Sequence, residues 1–374
     1  MIIMALDHCR DFLHAGAVNG NDPLNFAVTS PFLFLTRWIT HFCAPVFVFL
    51  AGTSIYFMSL RRSKKELSWF LFTRGAWLMV AELTIVLWGW EGSMKYAFFG
   101  LFVIWVLGLS MVCLSVLIFL PRKIIFLLGV VMIFGHNFLD PLNNSIQDNW
   151  QGFALSFFHV QHLFVLDSSH KFFVCYPFIP WLGVMLLGYL FGVLYSSSYD
   201  AVRRKKILTI MGLAAIALFI LLRSGNFYGD FLLWGKQSST IFTIESFINT
   251  SKYPPSLLYL LMTLGPAFLF LAYFENRKSR VTGMISVYGR VPFFYYLIHI
   301  YLIHAIAMVV FYATGHHTDE LVHGKYFAGL PPGYGLHLWQ VYLIWMGVVI
   351  SLYFPCRWYD RFKQTHKHPL LSYV

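Results

Sequence analysis

Asp7, His8, Arg10 and Asp11 place four ionisable side chains within five residues of a segment whose flanks, Ile2 to Leu6 and Phe12-Leu13, are apolar. A charge at the centre of a membrane helix costs roughly 2.5–3.5 kcal/mol on insertion scales. Four together at that depth imply a reaction centre or a pathway within the bilayer. His8 and Asp11 stand i, i+3 and share a helix face. A carboxylate beside an imidazole raises its basicity and fixes its tautomer, the arrangement of a general base or an activated nucleophile. The competing reading is structural: Asp7, Arg10 and Asp11 neutralise one another and pin helices together.

Further polar groups lie within other apolar runs. Arg37 and His41 are one helical turn apart, as a functional pair or as a snorkelling arginine beside a packing histidine. Arg74 and Arg290, closer to the ends of their segments, suit an anionic ligand such as phosphate, or equally serve as topology arginines. Glu82 requires a partner, structural or catalytic, and His299 sits near mid-membrane. No metal is expected. The five cysteines are scattered without a CxxC, and the His316-His317 pair is isolated. The loop histidines His159, His162, His170, His316, His317 and His323 are expected to be solvated.

The elements that must carry these groups follow from composition. The chain has 374 residues, 58% hydrophobic and 11% charged, with a mean hydropathy of +0.66; soluble domains carry about 25% charged residues. The fold class is therefore all-α, a polytopic integral membrane helical bundle. Apolar runs predict about ten transmembrane helices: 1–18, 32–60, 68–90, 96–120, 123–139, 172–197, 207–222, 255–274, 284–313 and 337–357. The fifth and seventh are short, and the first is shorter than a full span, as though the chain start had lost part of it.

Most of the 27 lysines and arginines fall in alternate connections. These are Arg61 to Lys65, Arg122-Lys123, Arg203 to Lys206, Arg277 to Arg280, and a tail holding Arg357, Arg361, Lys363 and Lys367. The opposite loops are longer yet hold few, among them Lys95, Lys171, Lys252 and Lys325. By the positive-inside rule both termini are cytoplasmic. The net charge of +11 is thus a topology signal and implies no nucleic-acid partner. No loop reads as a separate unit, so 1–374 is expected to be a single domain, and the aromatic stretches at 140–171 and 223–254 are expected to pack over the outer face.

Several motifs, in order along nearly the whole chain, resemble bacterial relatives of heparan-α-glucosaminide N-acetyltransferase. They are Met4 to Phe12, Arg37 to Gly52, Thr73-Arg74-Gly75, Tyr176 to Trp181, Tyr253-Pro254-Pro255-Ser256 and Tyr288 to Pro292. The resemblance implies a transmembrane acyltransferase of a bacterial cytoplasmic (inner) membrane, with partners in the lipid bilayer, a CoA donor and a sugar or glycan acceptor; a homodimer is compatible. Related O-acyltransferases carry a catalytic histidine near the outer end of their first helix, and His8 falls at that position. The arginine that precedes it in them would lie before Met1. In the lysosomal member the His8 position resembles asparagine, and its own histidine maps near Pro31, so His8 and His41 both stay open.

On this reading acetyl-CoA or another acyl-CoA enters from the cytoplasm, its phosphates met by Arg74, Arg290 and the basic loops. His8, oriented by Asp11, takes the acyl group or deprotonates the acceptor's amine or hydroxyl, while Arg37 or His41 stabilises the oxyanion. Asp7, Arg10, Glu82 and His299 complete a substrate-binding or structural polar network. The alternative function is a proton-coupled transporter using the same Asp/His/Arg cluster. A haem carrier using His8, His41, His299 and His304 is a third reading.

Overall fold

A transmembrane segment must satisfy its backbone internally, and helices do so within themselves. The computed structural model describes every residue except 94, 278, 323–328, 367, 369, 370, 372 and 374; Lys278, Lys325, Lys367 and His323 lie outside the described residues. The first apolar run forms α1 (Ile2–Leu13) and, past a break at His14, the short α2 (Ala15–Val18). The second bends: α3 (Pro31–Thr40) starts on proline with Ser30 as cap and ends at His41, and α4 (Cys43–Ser59) continues it. The third is α5 (Lys64–Ala81), a π-helical turn at Glu82–Val86 and α6 (Leu87–Glu91). The fourth begins as a strand, β1 (Phe98–Leu101), before α7 (Val103–Leu117).

Next come α8 (Arg122–Gly135), α9 (Trp150–Phe158), β2 (His162–Val165), β3 (Lys171–Val174), α10 (Phe178–Phe191) and α11 (Ala201–Ser224). After α12 (Thr240–Ile248) and α13 (Leu257–Phe274), the ninth run divides at Val291-Pro292 into α14 (Arg280–Arg290) and α15 (Pro292–Ala313), and α16 (Leu338–Thr365) ends the series.

Among the described residues eight helical runs are long and apolar enough to cross a membrane, with α7 a shorter apolar helix. With α1 they match the ten predicted runs, so the all-α membrane bundle holds. The fifth and seventh runs are longer than predicted, at 24 residues each. The seventh gains Arg203 to Lys206 at its start, whose long basic side chains lower hydropathy without ending the helix, and the fifth gains the polar end of a 3-10 stretch, His136–Ser145. Aromatic segments next to the spans add one feature the all-α reading did not contain. β1 pairs in parallel with β3, and β2 antiparallel with β3, setting the Phe99 and Phe172 rings 5.1 Å apart at a 45° tilt at the end of the bundle opposite the basic loops.

Close backbone approach fixes the scaffold. A Cβ on Gly52 would strike the α10 backbone at Met185, and one on Gly188 would strike Phe49. Small residues at such crossings let membrane helices pack tightly where the hydrophobic effect supplies little. Around this frame α1 contacts α3, α15 and α16, so its faces meet different neighbours.

Candidate active site

Residues 7, 10 and 11 of α1 share one face, and position 8 begins the next. Asp7 is the centre of the first. Its carboxylate accepts hydrogen bonds from Arg37 Nη1 at 2.8 and 2.9 Å and from the Thr40 hydroxyl at 2.9 Å. Arg10 Nη2 lies 2.9 Å away and also holds Asp11. The third cation comes from outside the spans: Lys252, in the connection between α12 and α13, brings Nζ to 4.0 Å from Asp7. Burial and then Arg37 pull this ammonium down to about 8. Its loop is tightly held. Asp230 accepts from the Ser251 N–H and the Ser256 hydroxyl at 3.0 and 2.9 Å, and His136 donates to the Pro255 carbonyl at 2.9 Å. Two carboxylates, Asp7 and Asp11, thus meet three cations, Arg10, Arg37 and Lys252. The excess positive charge favours an anion or an oxyanion nearby.

His8 is set by different partners. The predicted His8–Asp11 pairing does not form: Asp11 is taken by Arg10, and His8 Nδ1 lies 2.7 Å from His299 Nε2. The other nitrogen of His299, Nδ1, lies 2.8 Å from the Tyr295 carbonyl oxygen. A carbonyl only accepts, so His299 Nδ1 carries the proton and its Nε2 is the acceptor. His8 Nδ1 must then donate, which leaves the lone pair of His8 Nε2 free when the ring is neutral. Asp11 was preferred in the sequence because it is near in the chain; His299 is 291 residues away and is brought in by α15. Trp90, placed after the π-helical turn, packs its edge on His8 at 4.7 Å between centroids, and His8 itself is partly accessible.

The remaining predicted residues divide by location. His41 caps the end of α3, fully buried; the Tyr259 hydroxyl donates to its carbonyl at 2.7 Å, but neither ring nitrogen has a partner among the described residues. Glu82 opens the π-helical turn and accepts from the Ile104 and Trp105 N–H groups at 2.9 and 3.1 Å, so it caps α7 across a helix interface. Arg290 pairs with Asp360 at 2.8 Å, tying α14 to α16. Arg74, on α5, lies near Tyr359 and Lys363 of the same stretch of α16. These two arginines therefore stand at the basic end, apart from the Asp7 and His8 partners.

Two findings differ from the loop reading. His159 is buried, not solvated, with Nε2 3.2 Å from Asp140, because α9 folds back on the bundle beside α10. Lys252, read in the sequence as an outer-loop lysine and as the polar start of the helix-breaking stretch Lys252-Tyr253-Pro254-Pro255-Ser256, reaches the centre. Beyond α1, a cleft of about 420 Å³ is bordered by Arg10, Asp11, His14, Asn21 and Asp22. Arg10 Nε and Nη1 have no hydrogen-bond partner among the described residues. Among the described residues no group of three or more His, Cys, Asp or Glu side chains is placed to hold a metal ion.

Fold and site together define a polytopic helical membrane protein with a histidine relay and a charge cluster at its centre. The chain belongs to the family described as heparan-alpha-glucosaminide N-acetyltransferase, catalytic, whose model matches residues 22–208. Its class is that of a membrane-embedded acetyltransferase. The matched stretch contains Arg37, His41, Arg74 and Glu82; α1, Lys252, Arg290 and His299 fall outside it. No curated protein and no solved structure matches the chain.

Proposed function

We propose that the protein moves an acyl group, acetyl in the first instance, from acyl-CoA on the basic side to an amine or hydroxyl of a sugar or glycan on the other side. The setting is a bacterial inner membrane, and the whole chain acts as one domain. The observation that carries this reading is the Tyr295–His299–His8 relay, which presents a neutral imidazole with one unprotonated nitrogen beside a net-positive charge cluster. His8 is preferred to His41 because it is both oriented and reachable. His41 is fully enclosed, and no described residue bonds its ring to set its tautomer.

The acceptor enters through the cleft bordered by Arg10 and Asp11, whose guanidinium and carboxylate suit hydroxyl and amino groups. His8 Nε2 takes the acceptor's proton as its nitrogen or oxygen bonds to the thioester carbon. The tetrahedral oxyanion forms in the field of Arg37 and Lys252. The C–S bond then breaks, and the His8 proton passes to the departing thiolate, giving CoA thiol and acylated acceptor. Asp7 keeps the cations in place and takes no proton in this scheme.

The test is transfer of radiolabel from acetyl-CoA to pooled envelope glycans by the purified protein. Label on the glycan with wild type and not with His8→Ala supports the reading. Absence of both donor binding and transfer by wild type contradicts it.

A further inference from the structure

A second cleft, of about 150 Å³, lies at the basic end of the bundle, away from the Asp7 centre. The end of α4, the first turn of α5, the end of α7, the start of α8 and the last turns of α10 surround it. Leu67, Ile125 and Tyr189, each at least nine-tenths buried, form its floor, and Arg62, Lys64 and Arg122 form its rim. None of the three cations has a carboxylate partner among the described residues. The Arg62 guanidinium lies over the Phe70 ring at 4.2 Å and that of Arg122 over Tyr56 at 5.9 Å, contacts that orient the charged groups without a counter-ion. The neighbouring carboxylate, Glu66, is held by the Ser63 cap and only feels the Arg62 charge at a distance, without an ion pair.

Two further features point to a ligand. Tyr189 is 7% exposed, and its hydroxyl, which makes no hydrogen bond to any described residue, is the open tip of the ring where it lines the cleft. The 14-residue α8 begins at Arg122 without a side-chain cap, so its positive end and its first N–H groups face the same region. Three cations, an unmatched hydroxyl donor and an open helix start suit an acceptor-rich dianion or monoanion, and the size admits a phosphate group.

We propose that this cleft binds a phosphate group, through Arg62, Arg122 and the Tyr189 hydroxyl, supplied either by an anionic phospholipid headgroup or by acyl-CoA. The coenzyme A source rests on the transferase reading; the lipid source does not.

The full-length protein in neutral detergent distinguishes the sources. One arm measures binding of phosphatidylglycerol against phosphatidylcholine; the other measures coenzyme A against pantetheine, which lacks the phosphates. Both are run without acceptor and also on His8→Ala protein, so a failure of transfer does not bear on the result. Selective binding in either arm, weakened about tenfold by Arg62→Gln with Arg122→Gln, and less by the volume-conserving Tyr189→Phe, is the expected result and names the source. Transfer failing while phosphatidylglycerol binding persists removes the transferase reading and leaves this site standing. Absence of selective binding in both arms, or binding unchanged in folded Tyr189→Phe and in the arginine variant, overturns the proposal.

Discussion

Asp7 and His8 are adjacent in the chain and occupy opposite kinds of environment. Asp7 is surrounded by Arg10, Arg37, Thr40 and Lys252, with charge answered by charge. His8 meets an imidazole and an indole, and its relay ends on a backbone carbonyl. The charged face stores electrostatic energy: every partner removed leaves an uncompensated ion in a poor solvent. The neutral face stores orientation, since it decides which nitrogen holds the proton. A single step along the helix, about 100° of rotation, thus separates a group that holds the fold from a group suited to move a proton.

That division is tested most severely on the charged face. Asp7→Ala leaves Arg37 and Lys252 without their carboxylate, and unfolding in detergent should show a loss of about 3–5 kcal/mol. On the neutral face the loss should appear in rate. His299→Ala frees the His8 tautomer and should lower transfer per folded molecule by roughly 10²-fold, the lower end of what general acid–base catalysis contributes. His299→Gln, which supplies an acceptor oxygen, should recover part of it; equal loss of stability and rate in both variants would erase the distinction between the faces. Glu82→Ala should cost stability alone, about 1–3 kcal/mol for the α7 N–H groups left open, with transfer per folded molecule unchanged.

The smallest effect concerns pH. Lys252 titrates near 8 in the folded protein against 10.5 as a free side chain. Between those values the unfolded chain binds a proton that the folded chain lacks, so stability should rise as pH goes from about 8 towards 10.5. Lys252→Met should flatten that rise in a thermal-unfolding series.

Much of this was legible in the sequence, for identifiable reasons. Ten apolar runs and alternating basic loops report hydropathy and charge directly, so the helices were found even where their ends were misjudged. The Asp7 to Asp11 cluster stood out because ions in apolar runs are costly. Pairings were harder. Spacing joined His8 to Asp11, whereas α15 brings His299 across the bundle, and no local pattern encodes that contact. Lys252 looked like an ordinary loop lysine because its descent depends on Asp230 and His136 holding its loop from two other segments. The β1–β3–β2 sheet was missed because short aromatic strands next to a span read as its continuation.

The most direct measurement compares single-turnover acetyl transfer from labelled acetyl-CoA in wild type, His8→Ala and His41→Ala, each checked for folding. The relay predicts a fall of about 10²–10⁴-fold in His8→Ala and retention of most activity in His41→Ala. Full transfer by folded His8→Ala, with loss in His41→Ala, would contradict the account and move the reacting histidine to the end of α3.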